Sequence, residues 1–383
     1  MRLSALSFLL AASLTAAELP VLPLSVELGP EQVIAPGVPW PYLARTAQGS
    51  LVLFGHVGWP KGGQYPIHYL SRSFDGGKSW QEWKHSAQQG RGPVTEGSSV
   101  QLRDGTFLFF DVHAENKGNQ KFVANYWSSR DGMKTIEGPF PFTVDVPLAV
   151  GSGVDDRGVP INRIYFRRSV IELPSGDLLA SVYGWFAEDK FPVEYLAGMK
   201  KVRSYVVVSK DKGKTWQYVS TIASQPWGQE GLGEPVIERL SHGPAKGRLV
   251  CILRSGRENP MYQTESDDDG KTWSPVRKVE WSYSRFGRVR ELVGTDPDLI
   301  EMSDGTLVLA YGHKPDYLDD GNFLAFSLDQ GRTWSQVVRL SSPRSMAYTG
   351  LRETAPGELY LVYTNANGDT YDIVGRVVKV KRK

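Results

Sequence analysis

Six stretches of the chain share one pattern of apolar and polar residues, in which an apolar strand leads to a turn glycine and a second apolar strand follows. Residues 96–105 read EGSSVQLRDG before TFLFF, and residues 296–305 read DPDLIEMSDG before TLVLAYG. Short apolar runs bounded by Gly, Asp and Ser are typical of antiparallel strands. The pattern therefore predicts six sheets. The six turn glycines are Gly49, Gly105, Gly176, Gly243, Gly305 and Gly357.

A second repeat follows most of these strand pairs and has the pattern S-x-D-x-G-x-[ST]-W. It occupies residues 73–80, 209–216, 266–273 and 327–334, with a worn copy, SRDGMKTI, at 129–136. The Asp accepts N–H bonds within a turn, the Gly adopts a left-handed backbone angle, and the Trp is expected to be buried beside it. We predict a hairpin turn at each copy. Recurrence at intervals that hold four strands indicates a repeat architecture.

Composition agrees with an all-β repeat protein. The chain has 383 residues, 40 Gly, 24 Pro and 11% aromatic residues, which suits many short strands joined by turns. Its net charge is +2, and the one basic run is the C-terminal Lys379–Lys383, which we interpret as a solvated end. We therefore expect no nucleic-acid partner.

The two ends of the chain suggest how it is exported and how its repeat closes. Residues 1–17 have a basic start, a short apolar region and a small-residue end, which predicts a secretory signal peptide and a secreted or periplasmic protein with no membrane span. Residues 18–36 form a lead-in segment. We expect part of it, between Leu22 and Ala35, to pair with a strand at Asp372–Lys381 and remove an exposed edge. Residues 37–383 form the repeat domain.

Metal and disulfide chemistry has little support. Cys251 is the only cysteine, lies in an apolar strand and is interpreted as a small core residue. The acidic loops Asp267–Asp269 and Asp316–Asp320 permit a structural calcium ion, although solvated turns explain them as well. We expect no cofactor, and a monomer.

Candidate site residues follow from rotational symmetry, because the start of each inner strand would face a common axis in a propeller. Nine residues before the turn glycines, four of six positions are ionisable. A second layer lies seven residues after the turn glycines, counted in the fourth copy from Gly247, where an insertion lengthens the turn. Loops at such positions often carry function. The first layer is Trp40, Glu96, Arg167, Glu234, Asp296 and Tyr348; the second includes His56, Tyr183 and Arg254, with His313 one step beyond Gly312, and Tyr262 on a nearby loop.

The pattern resembles the sialidase superfamily, whose members are six-bladed β-propellers with repeated Asp-box turns. The resemblance implies three roles, because Tyr348 in AYTGL looks like the nucleophile, Glu234 like its supporting base, and Arg254 like a clamp for a substrate carboxylate. Three other roles have no match. The first clamp Arg is replaced by VPWP at 38–41, residues 56–72 contain no Asp or Glu to act as acid, and 319–322 contain no third Arg.

The surviving residues are compatible with three functions. In a secreted glycosidase acting on terminal, acidic sugars of glycans, Tyr348 is the nucleophile, Glu234 its base and Arg254 the carboxylate anchor, while His56 replaces the missing acid. Arg167, Glu96 and Asp296 then shape the site, and Trp40 offers a stacking surface. In a uronate lyase, His56, Tyr348 and Arg254 suffice. A carbohydrate-binding or scaffold propeller needs no catalysis.

Overall fold

The computed structural model is entirely β in the part of the chain that it describes. That part comprises residues 23–57, 67–83, 97–118, 121–149, 153–154, 158, 160–256, 259–283, 288–313, 321–341, 345–367 and 370–383. No helix in these ranges has the length and apolar character needed to cross a bilayer.

In the described part of the chain, thirty strands follow one another. The first eleven are β1 (Leu24–Leu28), β2 (Gln32–Ala35), β3 (Tyr42–Arg45), β4 (Leu51–Val57), β5 (Ile67–Ser73), β6 (Gln81–Glu82), β7 (Ser98–Gln101), β8 (Phe107–Phe110), β9 (His113–Asn116), β10 (Lys121–Ser129) and β11 (Glu137–Asp145). The next ten are β12 (Gly153–Val154), β13 (Pro160–Ile161), β14 (Arg163–Glu172), β15 (Leu178–Gly184), β16 (Arg203–Ser209), β17 (Thr215–Ala223), β18 (Gly233–Arg239), β19 (Leu249–Arg254), β20 (Tyr262–Ser266) and β21 (Arg277–Lys278). The last nine are β22 (Glu280–Tyr283), β23 (Arg288–Glu291), β24 (Thr295–Glu301), β25 (Leu307–His313), β26 (Gly321–Ser327), β27 (Gln336–Arg339), β28 (Ser345–Ala355), β29 (Glu358–Asn367) and β30 (Thr370–Arg382).

Most strands belong to six antiparallel groups, which we call units one to six. Units one, four and five are four-stranded sheets, β3–β6, β18–β21 and β24–β27. Unit two (β7, β8, β10, β11) and unit three (β14–β17) belong to one nine-stranded sheet, joined by short parallel pairings of β7 with β14 and of β11 with β17 and by β9. Unit six is β28–β30 with β1 and β2. The strand pairs predicted around the six turn glycines are all present.

The core consists of apolar clusters that each lie between two consecutive units. Among the described residues there are six such clusters, and the last joins unit six to unit one through Leu43 and Leu51 on one side and Tyr360 and Val362 on the other. Each sheet therefore buries both of its faces against neighbours. Since every unit depends on the next, the units form one closed cycle of packing.

The repeated S-x-D-x-G motifs form the hairpin turns between the third and fourth strands of units one to five, as predicted. In the copy between β20 and β21, Ser266 Oγ donates to Asp268 Oδ1 (2.8 Å), and Asp268 accepts from the Thr272 N–H (2.9 Å) and hydroxyl (2.7 Å). The Gly270 N–H donates to Ser266 Oγ (2.9 Å). The worn copy makes the same bonds through Asp131.

Two expectations about these repeats need correction. The motif tryptophans are not uniformly buried: Trp216 and Trp334 are 1% exposed, whereas Trp80 and Trp273 are half-buried at the edges of their units. The chain also has strands outside the repeat, β9, the β12–β13 pair and the β22–β23 hairpin, which the periodic pattern does not predict. The β12–β13 pair and the β22–β23 hairpin lie in connections between units, and β9 lies between β8 and β10 of unit two. No repeated packing partner dictates a sequence period at these places.

The two ends of the chain complete unit six together. Strand β1 pairs with β30 from Leu24↔Arg382 to Leu28↔Val378, and β2 pairs with the earlier half of β30. The prediction that the lead-in segment supplies a strand is confirmed, and the segment in fact supplies two. The pairing covers the edge that β30 would otherwise expose.

Replacing Asp268 by Asn tests the contribution of one motif turn. Hydrogen bonds from the Thr272 side chain and backbone lower the pKa of Asp268 to about 2. Stability from this carboxylate is therefore present above the ordinary carboxyl pKa and is lost as the pH falls through about 2. We expect Asp268→Asn to lower the free energy of unfolding by ~1 kcal/mol at neutral pH, after discounting for solvent exposure.

The measurement is urea unfolding at pH 7 and again near pH 2, where the difference from the wild-type chain should shrink. The neighbouring Asp267→Asn is the control, because Asp267 is exposed and binds only the half-exposed Arg248. A loss for Asp268→Asn no larger than that of the control would contradict this account of the turn.

Candidate active site

Inner strands of units three to six are irregular at the positions that the sequence places near the axis. The register of each inner strand with its neighbour shifts between Phe166 and Val170, Gly233 and Val236, Thr295 and Asp298, and Met346 and Thr349. Such bulges re-aim side chains and are common beside active sites. They act here on Arg167, Arg168, Glu234, Asp296 and Tyr348.

Several of these residues also have a backbone conformation that L-amino acids rarely adopt. The φ angles are +44° at Glu234, +51° at Asp296, +54° at Arg168 and +57° at Trp40. A non-glycine residue at positive φ costs free energy and persists where the surrounding structure imposes it. The repetition of this strain in four units identifies the starts of the inner strands as a specialised part of the molecule.

Asp296 of unit five joins two arginines of unit three. Its Oδ1 accepts from Arg167 Nη2 and from Arg168 Nε (3.2 Å), and its Oδ2 accepts from Arg168 Nη2. The Asp296 side chain is fully buried, and both arginine side chains are 3% exposed. The interaction therefore links two units that are not consecutive along the chain.

Glu234 of unit four extends this network toward the solvent. Its Oε1 accepts from Arg254 Nη1 (2.6 Å) and lies 3.8 Å from Arg167 Nη2, while its Oε2 accepts the Asp296 N–H (3.0 Å). Arg254, at the end of β19, also binds Glu230 through Nη2 (2.9 Å). Both ends of the Arg254 guanidinium therefore hold carboxylates.

Tyr348 of unit six lies against the same group of charges. The Arg167 guanidinium carbon lies 5.7 Å from the centre of the Tyr348 ring, within cation–π range. The Trp40 ring meets the Tyr348 ring edge to face at 6.0 Å. Tyr348 is half-buried. Trp40, Arg167 and Tyr348 thus bring units one, three and six to one place.

A pocket of about 190 Å³ opens beside Glu234 and Arg254. One wall is formed by Tyr165 and Tyr183, whose rings stack at 4.6 Å with planes 7° apart. Aromatic faces next to paired charges are typical of a binding site for a small polar molecule. The other lining side chains are those of Trp185, Tyr195, Met199, Val202 and Glu230.

Burial and charge shift the pKa values of the two inner carboxyl groups in opposite directions. Burial opposes ionisation of Glu234, but the charges of Arg254 and Arg167 outweigh it, so the pKa of Glu234 lies below its usual value. Burial raises the pKa of Asp296 to about 6, although Arg167 and Arg168 act against this shift. Glu234 is therefore ionised at pH 7. Burial also raises the pKa of Tyr183 well above its ordinary value.

The structure brings together seven of the eleven residues predicted from sequence. The seven are Trp40, Arg167, Tyr183, Glu234, Arg254, Asp296 and Tyr348, the last through its contacts with Arg167 and Trp40.

Two further predicted residues lie elsewhere. Tyr262 is 8% exposed and packs on Trp227 at 5.3 Å in the core between units three and four. His313 lines a separate cleft of about 380 Å³ with Trp281, Arg290 and Tyr311. The counting from the turn glycines gives the position of these two residues only approximately.

The structure does not describe the side chains of the last two, Glu96 and His56. Glu96 falls in the undescribed range 84–96, and the loop after His56 falls in the undescribed range 58–66. Of His56 itself, the backbone is described and pairs with His68 at the end of β4. The roles predicted for Glu96 and His56 stay predictions.

Sequence reasoning missed Arg168, Glu230 and Tyr165. Arg168 follows Arg167 directly, and the bulge allows both side chains to reach Asp296. Tyr165 lies opposite Tyr183 in the register of β14 with β15, a cross-strand relation that could have identified it. Glu230 lies in a connection with no repeat. Among the described residues, no cluster of three His, Cys, Asp or Glu side chains could hold a metal ion.

With this geometry established, comparison with known proteins defines the class. The model of the BNR repeat-like domain family matches residues 107–361, and the chain belongs to that family. No curated protein matches the chain.

Solved structures share the fold at low sequence identity. A protein of unknown function from Dyadobacter fermentans is 19% identical with a TM-score of 0.66, and the match covers 93% of this chain and 99% of that one. The α-L-arabinanase of Penicillium chrysogenum, solved with arabinobiose, is 15% identical with a TM-score of 0.65, covering 92% and 98%. A Hadza microbial sialidase is 17% identical with a TM-score of 0.62, covering 90% of this chain and 66% of its own length.

Substituting Asp296 tests whether the buried network holds the units together. Asp296→Asn would leave Arg167 and Arg168 without their shared carboxylate. We expect the free energy of unfolding to fall by about 3–5 kcal/mol, because an uncompensated buried charge is far costlier than a broken surface pair. The measurement is the urea midpoint at pH 7.

Asp269→Asn serves as the matched control, because Asp269 is 42% exposed and lies 3.6 Å from Arg239. Its expected effect is below 1 kcal/mol, as for other surface pairs. Equal midpoints for the two variants would show that the network contributes nothing to stability.

Proposed function

We propose that the six units are the blades of a six-bladed, sialidase-like propeller and that the protein is an exo-acting glycoside hydrolase on the terminal sugars of glycans. Membership of the BNR repeat-like family and the closed cycle of six apolar clusters support the architecture. The fold shared with a sialidase and an α-L-arabinanase supports action on carbohydrate. Fold alone does not determine activity, so the residues of the site carry the proposal.

The observation that carries it is that Arg167 contacts both Tyr348 and Glu234, and that Glu234 also binds Arg254. Arg167 lies over the Tyr348 ring and 3.8 Å from the Glu234 carboxylate, which binds Arg254. Tyr348, Glu234 and Arg254 are far apart along the chain, and each matches a role implied by the sialidase resemblance. A solvent-accessible tyrosine beside a buried cation and a carboxylate is the arrangement that nucleophilic catalysis needs.

The proposed chemistry is a double displacement. A free Tyr has a pKa of ~10 and attacks poorly, but the adjacent Arg167 favours the phenolate and the ionised Glu234 accepts the phenolic proton. The Tyr348 oxygen then bonds to the anomeric carbon as the bond to the leaving-group oxygen breaks, and water later cleaves the Tyr348–sugar bond. On sequence grounds alone, His56 is proposed to protonate the leaving group.

The setting of this activity is also a proposal. The predicted signal peptide at residues 1–17 favours action outside the cytoplasm on extracellular glycans, by a monomer without a cofactor. The sequence alone predicts an acidic sugar because of Arg254. That guanidinium already binds Glu230 and Glu234, so we propose a terminal sugar whose charge Arg254 does not assign.

Tyr348→Phe is the direct test. It removes the attacking oxygen and keeps the ring that contacts Trp40 and Arg167, so the fold should be preserved. We expect kcat/KM on the best substrate of a 4-nitrophenyl glycoside panel, with a sialoside included, to fall at least ~10²-fold. The measurement is nitrophenolate release, with product analysis.

Tyr218→Phe is the matched control, because the Tyr218 hydroxyl bonds Thr221 (3.0 Å) in the outer strand of unit three. Full activity of Tyr348→Phe would exclude Tyr348 as the nucleophile. Products with the absorbance of an unsaturated uronate would indicate a lyase instead. Glycan binding without turnover of any substrate would indicate a binding protein.

A further inference from the structure

Arg254 is the single residue of the site that the sialidase resemblance assigns to a substrate carboxylate, and its guanidinium is already occupied. Nη1 donates to Glu234 Oε1 (2.6 Å), and Nη2 binds Glu230 Oε2 (2.9 Å). The Arg254 side chain is 12% exposed and that of Glu230 is 23% exposed. The outer of these two carboxylates, Glu230, lines the pocket. It therefore stands where an incoming carboxylate would otherwise meet the arginine.

The backbone fixes Glu230 in this place. Its N–H donates to the Ser255 carbonyl (3.1 Å), directly after Arg254, and its carbonyl accepts from the Val202 N–H (2.9 Å). Gly231 follows at φ +82°, and a Cβ there would lie 2.5 Å from the Val202 carbonyl oxygen. The segment is thus clamped between units three and four and requires glycine at this contact.

A lysine holds the start of the same segment. Lys201 Nζ donates to the carbonyls of Pro226 (3.0 Å) and Gly228 (2.8 Å). A Cβ on Gly228 would lie 2.2 Å from the Ser255 carbonyl oxygen, so this glycine also permits a close backbone contact. These contacts hold the backbone at Glu230 in place. Its carboxylate is held on the pocket wall by Arg254 Nη2 (2.9 Å).

The charges of the site balance without a ligand. Arg167, Arg168 and Arg254 face the carboxylates of Glu230, Glu234 and Asp296. A sugar carboxylate would add a negative charge beside Glu230 and Glu234 in a poorly solvated pocket, where like charges repel strongly. A neutral sugar would add none.

The rest of the pocket suits an uncharged sugar. The stacked Tyr165 and Tyr183 rings offer an apolar face to the C–H side of a sugar ring, and the Tyr195 hydroxyl lies 3.5 Å from Glu230 Oε1. Carboxylate oxygens of Glu230 can accept hydrogen bonds from sugar hydroxyls. The volume, about 190 Å³, suits a single terminal residue rather than a long oligosaccharide.

We propose that Glu230 is a specificity-determining residue that fills the carboxylate position on Arg254, so that the pocket takes an uncharged terminal sugar and rejects sialic and uronic acids. The part of this proposal that concerns turnover rests on the proposed glycosidase function. The part that concerns binding does not, because the charge of the pocket acts on any sugar that enters it.

The test variant is Glu230→Gln, which removes one negative charge, keeps the shape of the side chain and leaves Arg254 with a neutral partner. The probes are matched pairs that differ only at C6: galactose with galacturonic acid and glucose with glucuronic acid, plus N-acetylneuraminic acid. Binding is measured by calorimetry at pH 7, and turnover with both anomers of the corresponding 4-nitrophenyl glycosides. Thermal melting checks that the variant is folded.

The wild-type chain should favour the neutral member of a pair by at least tenfold, and Glu230→Gln should move that ratio at least tenfold toward the acid. Glu188→Gln is the control, because Glu188 is 60% exposed and pairs with Arg203 outside the pocket. Its ratio should stay at the wild-type value.

Several outcomes would overturn the inference: a wild-type preference for the acids, an unchanged ratio in Glu230→Gln, or no binding of any of these sugars by either protein. The results that would contradict the proposed function are different ones. If no glycoside is cleaved while the binding ratio shifts as expected, Glu230 still sets the charge preference of a pocket that only binds. If cleavage occurs with an unchanged ratio, the hydrolase stands and the role of Glu230 does not.

Discussion

A continuous chain of buried ion pairs between inner strands is the constraint on which the rest of the structure depends. It runs from Arg254 through Glu234, Arg167 and Asp296 to Arg168, which lies 3.7 Å from Asp298. Asp298 in turn binds Arg352 of unit six (2.8 Å). Apolar contacts between facing sheets are not directional and do not by themselves fix how the sheets are aligned. Charged hydrogen bonds are directional and do fix this alignment. The network thus fixes how four units meet.

Burying such a network costs free energy, and this cost explains the irregular backbone around it. Each buried charge must be matched by a partner with good geometry, because desolvation otherwise exceeds the attraction. A regular inner strand would direct alternate side chains between the sheets. The bulges and the positive φ angles at Arg168, Glu234 and Asp296 instead turn charged groups toward one another. The strained backbone conformations are therefore what allows the buried charges to reach their partners.

The sequence predicted the structural features that recur from unit to unit. It did not predict the features at which the chain departs from this repeat. The turn glycines and the Asp-centred motifs located the strands, and counting from Gly243 and Gly305 found Glu234 and Asp296, because the same packing recurs in each unit. Counting from Gly176 gave Arg167 alone, since no pattern reveals that a bulge brings Arg168 to the same carboxylate. Glu230 depends on a close contact with another unit that leaves no periodic signal.

The joint contribution of both chain ends to unit six has a consequence for biosynthesis. In the part of the chain that the structure describes, β1 and β2 pair with β30, and the N–H of Lys383 donates to the Pro23 carbonyl (3.0 Å). On the ribosome, the first strands emerge hundreds of residues before their partner exists. Strands β1 and β2 must therefore wait, unpaired and with Leu24 uncovered, until β30 has been synthesised. The packing of unit six is completed only after the other five units have been made.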